Sequence, residues 1–397
     1  MLYKNLVKKV SISPEKKTKQ KNYLEKGALP IIDQGQDIIG GYTDDLNLQL
    51  PCSLPVIVFG DHTRAVKYID FPFGAGADGI KVLQPQEDIL PKYLYYATQY
   101  LVLRLEDRGY ARHYQYIEKK ELDVPDIEEQ KRIVSKIEEL FSELDNNIET
   151  LKNTKQQLSV YRQAVLKAAF EGDFTRHIIC ELNLGWASEE ETKDLPAIPN
   201  EWKYVALSKL GDLGRGKSKH RPRNDPKLFE DGKYPFLQTS EVKAAKRYIT
   251  DYSKQYGEFG LQQSKLWPKG TLCITIAANI AETAFLGIDA CFPDSVVGFT
   301  PYEHILPEYI KHFIESQKLK LWAFAPATAQ KNINLDTLEN LIIPYCSIQE
   351  QKEVISEIEA RMTICDNIEK TVDVTLQQAE AMRQSTLKKA FEGELYL

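Results

Sequence analysis

The sequence predicts an α+β protein with two globular domains, two long antiparallel coiled-coil helices that separate them, and a pseudo-twofold internal repeat. Three observations support this fold class. A segment from the first half of the chain recurs in the second half, the recurring segment carries apolar side chains every seven residues, and each remaining region has short apolar runs between Gly and Pro residues. A repeat fixes the organisation before any motif does, so the chain is interpreted as two copies of a variable domain followed by a helix.

The repeat is strongest in the two predicted helices, at a constant offset from Glu129 to Glu350. The stretch at 129–146, EQKRIVSKIEELFSELDN, matches EQKEVISEIEARMTICDN without a gap. The stretch at 161–174, YRQAVLKAAFEGDF, matches MRQSTLKKAFEGEL at the same offset. Upstream the match is weaker and needs insertions, as between ALPIIDQG in the first half and YPFLQTSE in the second.

Both variable regions are predicted to be mixed α+β, because apolar runs bounded by breakers are typical of strands. The candidate strands are LPVIVFG (54–60), GIKVLQP (79–85), GTLCITIA (270–277) and SVVGFTP (295–301). An aromatic helical stretch follows in each region, after Pro91 and after Pro307. The predicted organisation is a first domain at 1–125, a central helix at 126–173, a linker at 174–194, a second domain at 195–345 and a C-terminal helix at 346–397.

The long helices carry the heptad pattern of a coiled coil. The predicted helix–helix seam consists of Ile137, Leu144, Leu151, Leu158 and Val165 in the first copy and Ile358, Cys365, Val372 and Ala379 in the second. A second set is interleaved three residues after each, at Leu140, Asn147, Thr154, Tyr161 and Ala168. Gly172 and Gly393 are predicted to end the helices. The alternative is two amphipathic helices, each packed only on its own domain.

Composition favours a soluble globular protein, with 43% hydrophobic and 27% charged residues. No run of 18 uncharged apolar residues occurs, and the N-terminus is rich in lysine, so we expect a cytoplasmic protein that does not bind membranes. The six cysteines form no C-x-x-C pair, so neither a metal site nor a disulfide framework is expected. The net charge is −6, yet residues 1–26 and residues 215–247 each carry a local excess of six positive charges.

Catalytic motifs are not supported. The G-x-G-x-x-G pattern at 74–79 precedes a strand-like run, whereas a dinucleotide or methyl-donor site needs a helix N-terminus there. Asp61, His62 and Thr63 are adjacent in an extended segment, so their side chains alternate in direction and cannot form a relay. The sequence therefore predicts no catalytic residues and no cofactor or metal bound by this chain.

Polar clusters instead suggest contacts with double-stranded DNA. Lys and Arg side chains bind phosphates, and Gln, Asn, Ser and Thr side chains can hydrogen-bond to phosphates or base edges. The candidates in the second domain are Lys217, Ser218, Lys219, His220, Arg221, Arg223, Gln238, Thr239, Ser240, Gln330, Lys331 and Asn332. The candidates in the first domain are Asp61, His62, Thr63, Arg64, Arg112, His113, Tyr114 and Gln115. Turn or capping roles are the alternative for each cluster taken alone.

Several of these stretches resemble the specificity subunits of type I restriction-modification systems. The resemblance is carried by LPAIPNEWKYVALSKLGDLGRGK from Leu195, TAQKNINLDTLENLIIP from Thr328, and both helix repeats. It implies two target recognition domains, each recognising half of a bipartite DNA target, and helices that dock two adenine-N6 methyltransferase subunits and, in some assemblies, motor-nuclease subunits. It places catalysis, S-adenosylmethionine, ATP and Mg²⁺ in those partners.

The first domain departs from the pattern because the P-x-x-W segment at Pro199–Trp202 has no counterpart before Leu6. This difference leaves the N-terminal boundary of the first domain open. Three alternatives also stay open at this point: a coiled-coil scaffold that binds only proteins, a stand-alone methyltransferase or nuclease, and a specificity subunit of a related system in which methylation and cleavage are fused in one partner.

Overall fold

The computed structural model describes residues 1–397 except 77–78, 107–108, 110, 176–183, 325–331 and 396–397. The chain folds into two compact units. Unit 1 comprises residues 1–154 and 371–397, and unit 2 comprises residues 155–370. Within the described ranges, no helix is both long enough and apolar enough to cross a membrane.

The two halves of the chain contain the following strands and helices. The first half contains β1 (Val7–Val10), β2 (Lys17–Thr18), β3 (Leu29–Ile32), β4 (Gly41–Thr43), β5 (Val56–Gly60), β6 (Val66–Ile69), β7 (Gly74–Gly76), β8 (Ile80–Pro85), α1 (Pro91–Leu103), α2 (Tyr114–Ile117) and α3 (Ile127–Glu171). The second half contains α4 (Glu189–Thr192), β9 (Lys203–Ala206), β10 (Gly211–Arg215), β11 (Tyr234–Phe236), α5 (Thr239–Ala244), β12 (Tyr248–Ile249), β13 (Lys254–Tyr256), α6 (Glu258–Gln262), β14 (Leu266–Trp267), β15 (Leu272–Thr275), β16 (Thr283–Leu286), β17 (Ala290–Cys291), β18 (Val296–Pro301), α7 (Pro307–Ser316), α8 (Lys318–Phe324), α9 (Leu335–Glu339), β19 (Ile342–Tyr345) and α10 (Ile348–Phe391).

The predicted α+β class is confirmed. The four predicted strand runs form β5, β8, β15 and β18, and the aromatic stretches after Pro91 and Pro307 form α1 and α7. The second stretch does not form one helix, because α7 ends at Ser316 and α8 begins at Lys318.

In unit 1, an antiparallel sheet with strand order β1-β8-β5-β6 packs beside a mixed sheet with order β2-β7-β3-β4. Strand β5 is buried on both faces, as its uninterrupted apolar sequence predicts. Ile57 and Phe59 join the core formed with α1, α3 and α10. Val56 and Val58 join the second core between the sheets.

In unit 2, a five-stranded sheet with order β10-β18-β15-β16-β12 accompanies a second sheet with order β13-β11-β17-β14. The pattern of burial repeats that of unit 1. Leu272 and Ile274 of β15 face the core that includes α7 and residues of both long helices, whereas Cys273 faces the core of the other side. A separate strand pair, β9 and β19, leads into α10.

The two long helices pair in an antiparallel arrangement within each unit. In unit 2, Lys155 of α3 lies 3.6 Å from Glu369 of α10, and Arg162 further along α3 lies 2.7 Å from Asp366. In unit 1, Asp145 of α3 forms an ion pair with Arg383 of α10. The long helices therefore pack on each other as well as on the domains.

The first seam set is directed inward. Its buried members are Ile137, Leu144, Leu158, Val165, Ile358, Cys365, Val372 and Ala379, and Leu151 is half-buried. Three seam residues of α10 are smaller than the matching leucines of α3, whereas Ile358 and Ile137 are identical; the smaller residues are Cys365, Val372 and Ala379.

Two positions of the interleaved set are shifted along α3 by one residue from the predicted positions. Phe141 and Ala169 are buried, whereas Leu140 and Ala168 are half-buried and Tyr161 is exposed. A 3.5-residue period can be met by a step of three or of four residues. The step of four is used in unit 1 because it places the Phe141 ring against Tyr96 of α1, with ring centroids 5.7 Å apart.

Local sequence explains where the long helices begin and end. Asp126 accepts the backbone N–H of Glu129 at 2.9 Å, and Ser347 accepts that of Glu350 at 3.3 Å, so each helix starts with an N-terminal cap. Gly172 has φ 93° and Gly393 has φ 76°, the left-handed conformation that ends a helix.

A buried glutamine near the start of each long helix ties the helix to its domain. Gln130 Oε1 accepts the Leu90 N–H at 2.9 Å, and its Nε2 donates to the Asp88 and Pro125 carbonyls at 3.0 Å. Gln351 repeats this pattern with the Leu306 N–H at 2.8 Å. Its Nε2 donates to carbonyls of the same loop and of the strand end before α10.

We predict that Gln351→Ala lowers the free energy of unfolding of unit 2 by about 1–3 kcal/mol, because buried main-chain groups lose their partners. The neighbouring Gln349 is exposed, so Gln349→Ala is the matched control and should change stability little. Urea unfolding followed by circular dichroism measures both variants. Equal stability of the two variants would show that the buried amide does not stabilise the domain.

A second pair of variants tests the register of the helix seam. Phe141→Ala should lower the free energy of unfolding by about 3–5 kcal/mol, since it leaves a cavity beside Tyr96. Leu140→Ala removes a half-buried side chain and should cost less, about 1 kcal/mol. Thermal unfolding of the two variants compares them directly, and a larger effect at Leu140 would contradict the register described above.

Candidate nucleic-acid interface

In unit 2 the basic loop after β10 is hydrogen-bonded to the start of β18 and to the residue that follows β17. The Gly216 N–H donates to the Val296 carbonyl at 2.9 Å, and the Lys217 N–H donates to the Phe292 carbonyl at 3.0 Å. A Cβ atom at Gly216 would lie 2.2 Å from the Phe292 oxygen, so the loop can approach this strand end only with glycine there.

Side chains of the loop stabilise its conformation. Arg221 Nη1 donates to the Ser218 carbonyl at 2.6 Å and to the His220 carbonyl at 2.9 Å. His220 Nε2 donates to Asp225 Oδ2 at 2.7 Å, and this hydrogen bond lowers the pKa of the Asp225 carboxyl. Arg223 Nη2 lies 2.9 Å from Asp294 Oδ1 in a half-exposed ion pair. The loop is therefore held by its own contacts.

A pocket of about 310 Å³ lies beneath this loop. It is lined by Ser218, Arg223, Asn224, Phe236, Gln238, Thr239, Lys254, Pro293 and Ser295. Phe236 stacks on Tyr256 with ring centroids 4.1 Å apart, and burial raises the pKa of Tyr256. The pocket thus combines amides, hydroxyls and cations with an aromatic ring.

The three residues predicted at the strand end divide between two roles. Gln238 and Thr239 line the pocket. Ser240 Oγ donates to Glu241 Oε2 at 2.7 Å, and the same oxygen accepts the Gln238 N–H at 3.1 Å. Glu241 therefore fixes the start of α5, directly beside the pocket residues Gln238 and Thr239.

Three further candidates of the second domain lie just before α9 in the sequence. Gln330 and Lys331 lie outside the described residues. Asn332 is exposed and forms a bridge with Ala277, next to Ile276, whose N–H bonds to the Ser295 carbonyl at 3.0 Å. Asn332 is thus linked to the pocket residue Ser295 through the neighbouring residues Ala277 and Ile276.

In unit 1 the structure brings the two predicted clusters together, although mainly in buried contacts. Asp61 is buried, its carboxylate accepts the Tyr114 N–H at 2.9 Å, and its carbonyl accepts the His113 N–H at 2.8 Å. His62 Nδ1 donates to the Ala111 carbonyl at 3.2 Å. Burial and these hydrogen bonds explain Asp61, His113 and Tyr114 as parts of the fold.

The exposed members of these clusters are Thr63, Arg112 and Gln115, and Arg64 is half-buried with a positive φ of 62°. Gln115 Nε2 donates to the Arg112 carbonyl at 3.0 Å. A DNA contact in this region stays a prediction for the exposed side chains.

Sequence reasoning did not select Lys254 and Ser295 as site residues. Lys254 lies on β13 and reaches the pocket because β13 pairs with β11, where Phe236 is opposite Lys254. Ser295 precedes β18 and meets the loop through the β17–β18 connection. No local sequence motif identifies either residue. Asn224, in contrast, directly follows the basic run and could have been predicted from that position.

The described parts of the chain contain no group of three or more side chains suited to holding a metal ion. The G-x-G-x-x-G pattern begins in β7, and β8 follows it at Ile80. Burial raises the pKa values of the Cys273 and Cys291 thiols, which disfavours the reactive thiolate. The hydrogen-bonding and charged side chains of the basic loop and the pocket are suited to phosphates and base edges.

Comparisons with known proteins agree with this chemistry. The family model described as type I restriction modification DNA specificity domain matches residues 8–159 and 199–378. The chain is 25% identical over 375 residues to the specificity subunit of the type I restriction enzyme EcoBI from Escherichia coli, covering 91% of this chain and 74% of the relative. It is 25% identical over 374 residues to the EcoR124I/EcoR124II specificity subunit from Escherichia coli, covering 88% and 83%.

A solved structure shows the same fold. The solved chain belongs to a structure described as the structural basis of complex assembly and conformational transition of the type I R-M system. The present chain superposes on it with a TM-score of 0.74 at 15% sequence identity. The superposition covers 100% of the present chain and 97% of the solved one.

The basic loop provides a direct test of nucleic-acid binding. Replacing Lys217, Arg221 and Arg223 by Ala should weaken binding to duplex DNA and flatten its salt dependence by about 0.9 unit of slope for each phosphate that is no longer neutralised. Lys203 and Lys209 are exposed elsewhere in unit 2, so replacing them by Ala is the charge control. Fluorescence anisotropy across a salt series measures the slopes, and an unchanged slope in the triple variant would show that the loop is only solvated.

Proposed function

The chain belongs to the type I restriction modification DNA specificity family, and from this membership we propose that it is the DNA-recognition subunit of a type I restriction-modification complex. The basic loop over the polar pocket of unit 2 carries the proposal, since it places cations for phosphates beside amides for base edges. The family model also matches two regions, one in each half of the chain.

We propose that the target is a bipartite sequence in double-stranded DNA and that each domain recognises one half. The first sheets of the two domains share the order of four strands, but the domains differ in the side chains they present. Direct readout depends on the donor and acceptor groups offered to each base pair, so two different surfaces should recognise two different half-sites. Deformability of the DNA between these half-sites would add to this selectivity.

The proposed partners are two adenine-N6 methyltransferase subunits and, in a complete restriction complex, motor-nuclease subunits. Exposed apolar side chains on the long helices support a protein interface there. In unit 2, Ile364 of α10 is 58% exposed and Val160 of α3 is 68% exposed. In unit 1, Met382 of α10 is 61% exposed.

We propose that this chain has no catalytic activity of its own and works in the cytoplasm, where it binds and orients DNA for its partners. Methyl transfer would use S-adenosylmethionine bound by the methyltransferase subunits, and DNA movement would use ATP and Mg²⁺ bound by the motor subunits. A scaffold that binds only proteins would not need the basic loop and its pocket, so the observations favour DNA recognition. The affinity for DNA should then fall as the salt concentration rises, because the cations of the basic loop neutralise phosphates.

Reconstitution tests this division of labour. The purified chain with S-adenosylmethionine and DNA should transfer no methyl groups, and methylated adenine should appear when the methyltransferase subunit is added. Sequencing of the methylated DNA should then give a bipartite motif. Methylation by the purified chain alone, free of contaminating enzyme, would contradict the proposal.

Exchange of the second domain tests whether the two domains recognise their half-sites independently. Replacing residues 195–345 by the matching domain of a related specificity subunit should change one half of the methylated motif and leave the other half as it was. A change in both halves would mean that the two domains do not act independently.

A further inference from the structure

The two domains can be aligned by strand topology more closely than by sequence. The order β1-β8-β5-β6 in unit 1 corresponds to β10-β18-β15-β16 in unit 2. In the second sheets, β3 lies between β7 and β4, and β11 lies between β17 and β13. In both sheets the first of these pairings is parallel and the second is antiparallel.

The strand registers give a residue-by-residue equivalence. Ile31 of β3 lies opposite Gly74, and Phe236 of β11 lies opposite Cys291, with a proline before each of the two apolar residues. Asp33 lies two residues after Ile31 and Gln238 lies two residues after Phe236, so these two residues correspond. Gln34 and Thr239 are the next residues in each strand end and correspond in the same way. Gln34 therefore occupies the place of a residue that lines the pocket in unit 2.

The same registers align the two basic segments. Lys17 of β2 pairs with Ala75, the residue after Gly74. Lys217 bonds to Phe292, the residue after Cys291. The segment that begins at Lys17 thus lies beside the same strand end as the segment around Lys217, and the lysine-rich segment of the first domain corresponds to the basic loop of the second.

Burial at the aligned positions agrees with this equivalence. Thr18 is 7% exposed and Ser218 is 8% exposed, while Lys19 and Lys21 are exposed like Lys219. The Thr18 hydroxyl is buried without a hydrogen-bond partner, and so is Gln34 Oε1. Among the described residues five buried side-chain polar atoms share this property, so two of the five lie at the aligned positions. Buried polar atoms are nearly always paired, so these two atoms could hydrogen-bond to a bound ligand.

Neighbouring contacts separate Gln34 from Asp33. Lys67 Nζ donates to the Asp33 carbonyl at 2.8 Å and lies 3.6 Å from its carboxylate, so Asp33 is engaged within the domain. Thr63 Oγ1 donates to the Gln34 carbonyl, which joins the turn at 61–64 to the same region. The Gln34 side-chain oxygen has no partner, so its amide can turn toward a ligand without breaking a hydrogen bond at that atom.

We propose that the first domain binds double-stranded DNA through the segment Thr18–Lys21 and Gln34, with the lysines and the Thr18 hydroxyl on the phosphate backbone and the Gln34 amide on a base edge. This inference rests on the proposed function and adds the DNA-binding residues of the first domain. A glutamine amide can donate to and accept from the edge of adenine, which makes Gln34 the residue that determines sequence preference. Lysines contribute affinity that depends on salt and not on sequence.

The test uses the full chain with its methyltransferase partner and a duplex carrying the methylated motif found in cells. Lys19→Ala together with Lys21→Ala should flatten the salt dependence by about 1.8 units of slope and leave the sequence preference unchanged. Gln34→Ala should reduce discrimination against substitutions in one half-site by roughly 5- to 150-fold, in the half that exchange of residues 195–345 leaves unchanged.

Lys119 and Lys120 are exposed in the same unit, so replacing both by Ala is the matched charge control and should keep the wild-type slope. Circular dichroism confirms that each variant is folded. If the Lys19/Lys21 and Gln34 variants behave like wild type while Lys219→Ala with Arg221→Ala weakens binding, this inference is wrong and the proposed function stands. If wild-type protein with its partner prefers no duplex sequence, the proposed function itself fails.

Discussion

A buried glutamine amide near the start of each long helix joins that helix to the domain before it, and the placement of the recognition surfaces depends on this interaction. The Gln130 amide uses one acceptor and two donors, and all three are paired with main-chain groups. The partners lie in the loop before α1 and in the segment directly before α3, so one side chain joins the helix to both of these segments. Gln351 does the same in unit 2. Any rotation of a domain on its helix would leave buried polar groups without partners, which is costly.

The two copies differ beside this shared interaction. In unit 2 the Trp202 indole N–H donates to Glu350 at 2.9 Å, and Glu350 is fully buried. In unit 1 the matching Glu129 is half-buried and faces Arg132 at 3.4 Å. The P-x-x-W segment of unit 2 therefore supplies the partner of the buried Glu350 carboxylate, whereas Glu129 forms an ion pair with Arg132.

The basic loop of unit 2 is held by interactions that DNA binding could replace at a small cost in free energy. Arg223 is half-exposed in its ion pair with Asp294, and such surface pairs contribute little to stability. Arg221 and His220 hold the loop through its own carbonyls and Asp225. Ordering the loop before binding reduces the entropy lost on association, so its cations can meet phosphates in a prepared arrangement.

The sequence by itself determined the fold class, the two long helices with their ends, and the principal strands, because these follow from local periodicity, capping residues and glycines. It also determined the family, through the repeat and the segments that resemble specificity subunits. Tertiary structure alone decided which side chains share a site. A period of 3.5 residues allows either Leu140 or Phe141 to face inward, and packing against Tyr96 selects Phe141. Lys254 reaches the pocket through strand pairing, which no local pattern encodes. Asp61, His113 and Tyr114 proved mutually bonded and buried, since a polar residue next to a strand looks the same in sequence whether it faces a ligand or the protein's own backbone.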